Sequence, residues 1–208
     1  MATLYDYPRS SAAYRVRIAC NLKVLPYETV LIDFFKNDQR SEEFLNINPS
    51  GLAPVLAFDD GPVLSQSLAI MKYLDAIRPD APLFPADPKD EAAVWEMALI
   101  VACDIHPLNN LRVLKYLKND LGADEAARNA WYANWVRLGF EGLEARVKDR
   151  GGPYCLGADL TAVDVCLVPQ MFNARRFNVP LEAFPTLVDI DARLQAIEAF
   201  ASAAPPPA

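Results

Sequence analysis

The first part of the chain alternates between the two hydrophobic periods that separate strands from helices. "TLYDY" (3–7) and "YETVLID" (27–33) read as strands, "SAAYRVRIACNLK" (11–23) carries a helical pattern, and "SEEFLNI" (41–47) begins a short helix. Strand, helix and strand in that order predict a parallel pair joined by a right-handed crossover. In "NPSGLAPVLAFDDGPVLSQS" (48–67), Asp60-Gly61 stands between "VLAF" and "PVL", a hairpin signal of the I′ kind, so the next two strands are expected to be antiparallel. Leu68, Met71, Leu74 and Ile77 then recur about one turn apart in "SLAIMKYLDAIR" (67–78), which predicts an amphipathic helix packed back on the sheet.

Pro79, Pro82, Pro85 and Pro88 crowd the segment 78–88, a density that neither a helix interior nor a central strand tolerates. We therefore expect an α/β domain over 1–80, a proline-rich linker over 81–88 and an all-helical domain over 89–208, because no strand alternation is sustained beyond the linker. Inside the helical part, Thr161 followed by Asp164 is a capping-box variant, with Leu160 and Val165 at the positions of a hydrophobic staple. The helix that follows is apolar until its end, so it is expected to cross the domain core, with a kink at Pro169. The tail "AAPPPA" (203–208) is expected to fray.

Composition narrows the chemistry. A net charge of −7 argues against nonspecific nucleic-acid or anionic-membrane binding, although a local basic cleft stays possible. The start "MATLYDYPRSS" is not patterned as a secretory signal, and apolar runs are short, so a cytoplasmic protein is expected. Cys20, Cys103, Cys155 and Cys166 show neither a C-x-x-C pair nor zinc-ligand spacing, so reduced and mostly buried thiols are expected. With His106 as the single histidine, a His-based metal site or a Ser-His-Asp triad has little to draw on.

Four groups of residues could carry chemistry. Arg9, Ser10 and Ser11 sit at a strand-to-helix corner, where a serine either caps the helix or, with the helix end, handles an anion or a reactive sulfur. A proline entering the third strand at Ala53-Pro54 completes a thioredoxin-like layout; it is either a trans proline at a strand start or a cis proline holding the backbone of Ala53 toward a ligand. Ser67 is a common type of N-cap, and a lone histidine before a proline, as His106 is, is more often a satisfied helix residue than a catalyst. Arg9, Arg112 and Arg176 are surface ion-pair partners or, with their paired N–H donors, holders of carboxylates.

"RSSAAYRVRIACNL", "NINPSGLAPVL", "LSQSLAIMKYLD", "DIHPLNNLRVLKYL", "CLVPQMFNARRFNV" and "FPTLVDIDARLQAIEAF" together resemble the zeta-class glutathione transferases, the family that includes maleylacetoacetate isomerase. The six motifs occur in the family's order and span residues 3 to 205. The resemblance implies the glutathione transferase fold: a thioredoxin-like N-terminal domain that binds glutathione and an all-α C-terminal domain. It implies that Ser10 hydrogen-bonds the glutathione sulfur, that Ser11 and the following backbone help hold the cofactor, and that Arg9 acts beside them. Ala12 stands where many members carry a cysteine. By the same resemblance, the Ala53 backbone pairs with the cysteinyl unit, Gln66 and Ser67 bind the γ-glutamyl carboxylate, and Gln39 contacts the glycine carboxylate. His106 and Asn110 become polar contacts to glutathione, and Arg9, Arg112 and Arg176 hold a dianionic substrate.

The implied activity is glutathione-dependent cis–trans isomerisation of maleylacetoacetate in tyrosine and phenylalanine breakdown, by reversible thiolate addition to the double bond. The implied state is a cytoplasmic homodimer. Two alternatives stand beside it: a maleylpyruvate isomerase of aromatic-acid catabolism, and a nonenzymatic module that only binds partners.

Overall fold

The computed structural model describes residues 1–206, and its opening elements are β1 (Ala2–Asp6), α1 (Ser11–Leu22) and β2 (Glu28–Leu31). β1 and β2 pair in parallel, from Thr3 opposite Glu28 to Asp6 opposite Leu31. β3 (Val55–Phe58) runs antiparallel to β1, and β4 (Val63–Ser65) antiparallel to β3, giving the order β2-β1-β3-β4. Strand period then sorts the side chains. Leu4 and Leu56, directly opposite each other, are fully buried on one face, where α1 packs against α3 (Ser67–Ile77). On the other face Tyr5 and Val55 join Ile32 and Phe44, the latter from α2 (Glu42–Ile47), with the Tyr5 and Phe44 rings edge to face at 6.0 Å.

The hairpin forms where Asp-Gly predicted it, but with another turn. The Phe58 carbonyl accepts from the Gly61 N–H at 3.3 Å, so Asp59 and Asp60 are the central residues, and neither Asp60 nor Gly61 has a positive φ. A I′ turn needs positive φ at both central positions, and Pro62 further biases Gly61 toward extended backbone. In α3, Leu68, Met71 and Leu74 are buried as expected, whereas Ile77 is 43% exposed at the helix's last position, where the chain leaves for the linker.

That exit is fastened from below. Lys23, its side chain wholly shielded, donates from Nζ to the carbonyls of Arg78, Asp80 and Ala81 at 2.9, 3.0 and 2.9 Å and pairs with Asp75 at 2.6 Å. Asp75 in turn accepts from the Leu83 N–H at 3.0 Å.

Two compact units result: Met1–Leu83 together with the segment from Ile197, and Phe84–Ala196. The sequence reading assigned the last helix, α9 (Glu198–Ala201), to the helical domain; contacts assign it to the sheet-bearing unit. Tyr14 Oη donates to the Phe200 carbonyl, Asn21 Nδ2 to the Ala199 carbonyl and Arg17 Nε to the Ala203 carbonyl. Ala203 is buried, so the expected fraying does not begin there, and the part of that expectation that concerns residues 207 and 208 lies outside the described residues.

The other unit contains α4 (Pro88–Leu99), a π-helical segment Ile100–Ile105, α5 (Leu111–Asn119), α6 (Glu125–Arg150), α7 (Ala162–Arg176) and α8 (Pro185–Gln195). α7 is buried continuously from Ala162 to Met171, the expected core helix, and it runs on through Pro169. Its start is the expected capping box: Asp164, fully buried, accepts from the Thr161 N–H at 2.7 Å and from the Cys155 N–H at 2.9 Å. Near its end, Arg175 pairs with the buried Asp191 of α8 at 2.6 Å, and Gln195 donates to the same carboxylate oxygen. The π-helical segment lies against α6 at Gly139, where a Cβ would stand 2.3 Å from Ile105 Cγ1. Cys20, Cys155 and Cys166 are buried, Cys103 is exposed, and all four are free thiols.

Asp164→Ala would strand two buried N–H donors at once, each costing about 1–3 kcal/mol. Urea unfolding should show a loss of at least about 2 kcal/mol, and a loss below the usual capping range would contradict this role. Burial pushes the Asp191 carboxyl above its ordinary 3.8, against the pull of Arg175. The folded chain therefore holds that proton more tightly than the unfolded chain, and this stabilisation is lost as pH rises through the raised value. Asp191→Asn should accordingly gain stability relative to the native chain as pH rises above the ordinary carboxylate value of about 4, and a pH-independent difference would refute the assignment.

Candidate functional site

Strand register gathers the sequence candidates of the first unit at one end of the sheet. Tyr5 stands opposite Val55, and Val55 opposite Ser65, so the exit of β1, the entry of β3 and the exit of β4 lie side by side. Immediately beyond that row come Pro8–Ser11, Ala53-Pro54 and Gln66–Ser67. The Ala53-Pro54 bond is cis, the state that the sequence left open. A cavity of about 520 Å³ lined by Leu25, Pro26, Phe58, Ile77 and Arg78 sits by the opposite end of β1 and contains none of the candidates.

At the corner, the Ser10 N–H donates to the Tyr7 carbonyl at 2.8 Å, closing a turn over Pro8 and Arg9. Ser10 is the N-cap of α1, and its Oγ accepts from the Ala13 N–H at 3.2 Å. Capping uses an oxygen lone pair and leaves the hydroxyl hydrogen available, so Ser10 can cap its helix and still donate. Ser11 is buried behind it, while Arg9 is exposed.

The expectation that Ser67 caps α3 does not hold. Gln66, at φ 72°, is the cap residue and makes no capping bond with its side chain. Ser67 is the first residue of the helix, and its Oγ instead accepts from Arg15 Nη1 at 3.3 Å. Arg15, 1% exposed, is the site-adjacent residue that sequence reasoning missed. Its signal was available: Arg15 and Arg17 both fall inside the otherwise apolar "AAYRVRIAC", and a buried guanidinium must have partners. Gln39, 8% exposed, lies in a 3₁₀ turn (Asp38–Arg40) with Oε1 unpartnered and Nε2 only 3.5 Å from Asn37 Oδ1, which leaves its amide with capacity for another group.

In the helical unit, His106 closes the π-helical segment, its N–H bonding back five residues to the Val101 carbonyl at 3.0 Å. His106 Nε2 is 3.5 Å from Asn110 Nδ2, and Asn110 Oδ1 caps α5 by accepting from the Arg112 N–H at 3.1 Å. His106, Asn110 and Arg112 are thus one local cluster, with Arg112 exposed. Arg176 comes from α7, its guanidinium carbon 5.4 Å from the centre of the Phe177 ring, which stacks on Tyr132 at 3.8 Å; the Tyr132 carbonyl accepts from Asn109 Nδ2 at 3.2 Å, beside the cluster. Burial raises the Tyr132 hydroxyl far above its ordinary value, with Arg176 pulling the other way. Arg175, by contrast, is committed to Asp191.

The family described as glutathione S-transferase, N-terminal domain, matches residues 4–82. A probable maleylacetoacetate isomerase of Vibrio cholerae is 48% identical over 204 residues, 97% of this chain and 94% of that protein. A maleylpyruvate isomerase of a Ralstonia species is 43% identical over 205 residues, 97% and 96% of the two chains. Among solved structures, a holo maleyl pyruvate isomerase, described as a bacterial zeta-class glutathione S-transferase, matches with a TM-score of 0.94 at 41% identity, covering 98% of this chain and 96% of that one. A maleylacetoacetate isomerase of Methylobacterium extorquens, solved with malonate and glutathione bound, matches at 0.93 with 38% identity over 98% and 96% of the chains.

Proposed function

The chain belongs to the zeta-class glutathione transferase family, and from that premise we propose that it is a glutathione-dependent cis–trans isomerase acting on maleylacetoacetate. The observation that carries this reading is the serine-capped start of α1 lying at the same sheet end as the Ala53-Pro54 peptide and the start of α3. Glutathione presents a thiol, two carboxylates and peptide groups, and the residues here suit them. Two helix N-termini carry positive partial charge, and Gln39 Nε2, with only a 3.5 Å contact to Asn37 Oδ1, is a donor suited to a carboxylate.

Bound glutathione supplies the thiolate that adds to the substrate's cis double bond and leaves once the bond has rotated. In this reading Ser10 donates its hydroxyl hydrogen to the sulfur, and the end of α1 favours thiolate over thiol. Ser11 and the backbone after it hold the tripeptide, and Ala53 offers strand-like backbone groups to its cysteinyl unit. Gln66 and Ser67 take the γ-glutamyl carboxylate, Gln39 takes the glycine carboxylate, and His106 and Asn110 add polar contacts. Arg9, Arg112 and Arg176 hold the substrate's carboxylates and stabilise the charge that develops as the double bond opens. The family premise also carries a cytoplasmic homodimer working in aromatic amino-acid breakdown.

Maleylpyruvate is the second reading, favoured by the match to the zeta-class maleyl pyruvate isomerase at 41% identity, alongside 38% for the isomerase solved with malonate. Assaying the purified chain on both substrates, with and without glutathione, separates the two: the larger kcat/KM identifies the substrate, and no turnover of either overturns both. Ser10→Ala should lower turnover at neutral pH by at least about tenfold, the scale of a lost hydrogen bond to a charged group. Glutathione affinity should fall less, and unchanged turnover would remove Ser10 from its role.

A further inference from the structure

The corner that carries Arg9 and Ser10 is held by a residue outside it. In the turn from Tyr7 to Ser10, Pro8 and Arg9 occupy the central positions, and a proline in the first of these fits either a type I or a type II turn. The two types differ by rotation of the peptide between the central residues, which is the peptide whose oxygen is the Pro8 carbonyl. Type II needs a positive φ at Arg9, and Arg9 does not have one. Arg17 Nη2 donates to that Pro8 carbonyl at 3.1 Å, in the orientation the turn has taken.

The guanidinium is itself fixed. Nη1 reaches both carboxylate oxygens of Asp6 at 2.8 Å, and Nε donates to the Ala203 carbonyl at 2.8 Å, 186 residues away along the chain. Arg17 and Asp6 expose only 11% and 5% of their side chains, so water offers little competition. The guanidinium spreads its donors over three nitrogens in one fixed plane and so reaches three separate groups from three atoms, whereas a lysine carries all its donors on a single atom and cannot span them.

We propose that Arg17 is the positioning residue of the proposed active site: by holding the Pro8 carbonyl against the end of β1 and the C-terminal segment, it sets the direction in which Arg9 and Ser10 face their ligands. This rests on the function proposed above. Arg17→Lys keeps the charge beside Asp6 and releases the peptide. The kcat/KM for the better of the two isomerase substrates should fall on the order of tenfold to a hundredfold, the cost of a small misplacement of reacting groups. Substrate KM should rise as Arg9 loses its direction, and the pH profile of thiolate absorbance in the glutathione complex should move toward that of free glutathione.

Asn21→Ala is the control, since it removes two bonds to the same C-terminal segment, to Ala199 and Ser202, and leaves Pro8 untouched. It should lower Tm while kcat/KM stays within about twofold. Native kinetics and native thiolate titration in Arg17→Lys overturn the proposal, as does an Asn21→Ala variant that loses as much activity as Arg17→Lys. If Arg17→Lys does not fold, Asp6→Asn takes its place, freeing the guanidinium while keeping the shape, and native kinetics there overturn the proposal equally. A native chain that neither isomerises the two substrates nor shifts its Tm with glutathione overturns the function beneath it, and this inference with it.

Discussion

One row of three residues, Tyr5, Val55 and Ser65, constrains most of what surrounds it. Strands slip only by whole residues, and a slip of one exchanges the faces of every side chain. Here such a slip would bring Leu4 out from beneath the helices and turn Tyr5 into them, and burial of Leu4 and Leu56 forbids it. Because that row also marks where three strands begin or end, the same hydrophobic burial that fixes the register brings together the three loops holding Ser10, Pro54 and Ser67. The position of the polar groups is thus a by-product of apolar packing on both faces of a four-stranded sheet.

Most of the fold could be read from period and punctuation. The strands, the helix at 67–77 and the box at Thr161 and Asp164 are local patterns, and local forces make them. What escaped depended on distant partners. Ser67 has the composition of a cap, but only the arrival of Arg15 from α1 decides what its oxygen does. The last helix is a single short turn whose local pattern assigns it to neither unit, and its membership is set by Tyr14, Arg17 and Asn21, nearly two hundred residues earlier. The Asp-Gly pair located the hairpin correctly and misjudged its turn, because Pro62 and a longer connection changed which residues were central.

Among the candidate residues, those named from a strand end or a helix start fall where the register gathers them. His106, Asn110 and Arg112 form a cluster because a widened helical turn is followed at once by a capped one. Their functional assignment came from resemblance alone. Arg15 and Arg17 fall inside "RSSAAYRVRIACNL", yet the motif alone gives them no role, since an arginine in a helix normally reads as solvated surface. Two such residues in a helix whose neighbours are nearly all buried are a different signal: they mark internal polar connections that a hydrophobic pattern cannot announce.

Gly139 carries a consequence of another kind. The turn at 100–105 holds one residue more than an α-helical turn would, and the extra girth points at α6, where a hydrogen atom stands in place of a methyl group. Ile105 is fully buried and has little room to retreat. Position 139 therefore has no room for a side chain unless Ile105 moves, so two segments far apart in the chain and joined by no polar bond share one steric constraint, and a methyl group at 139 would press on the turn from which His106 starts.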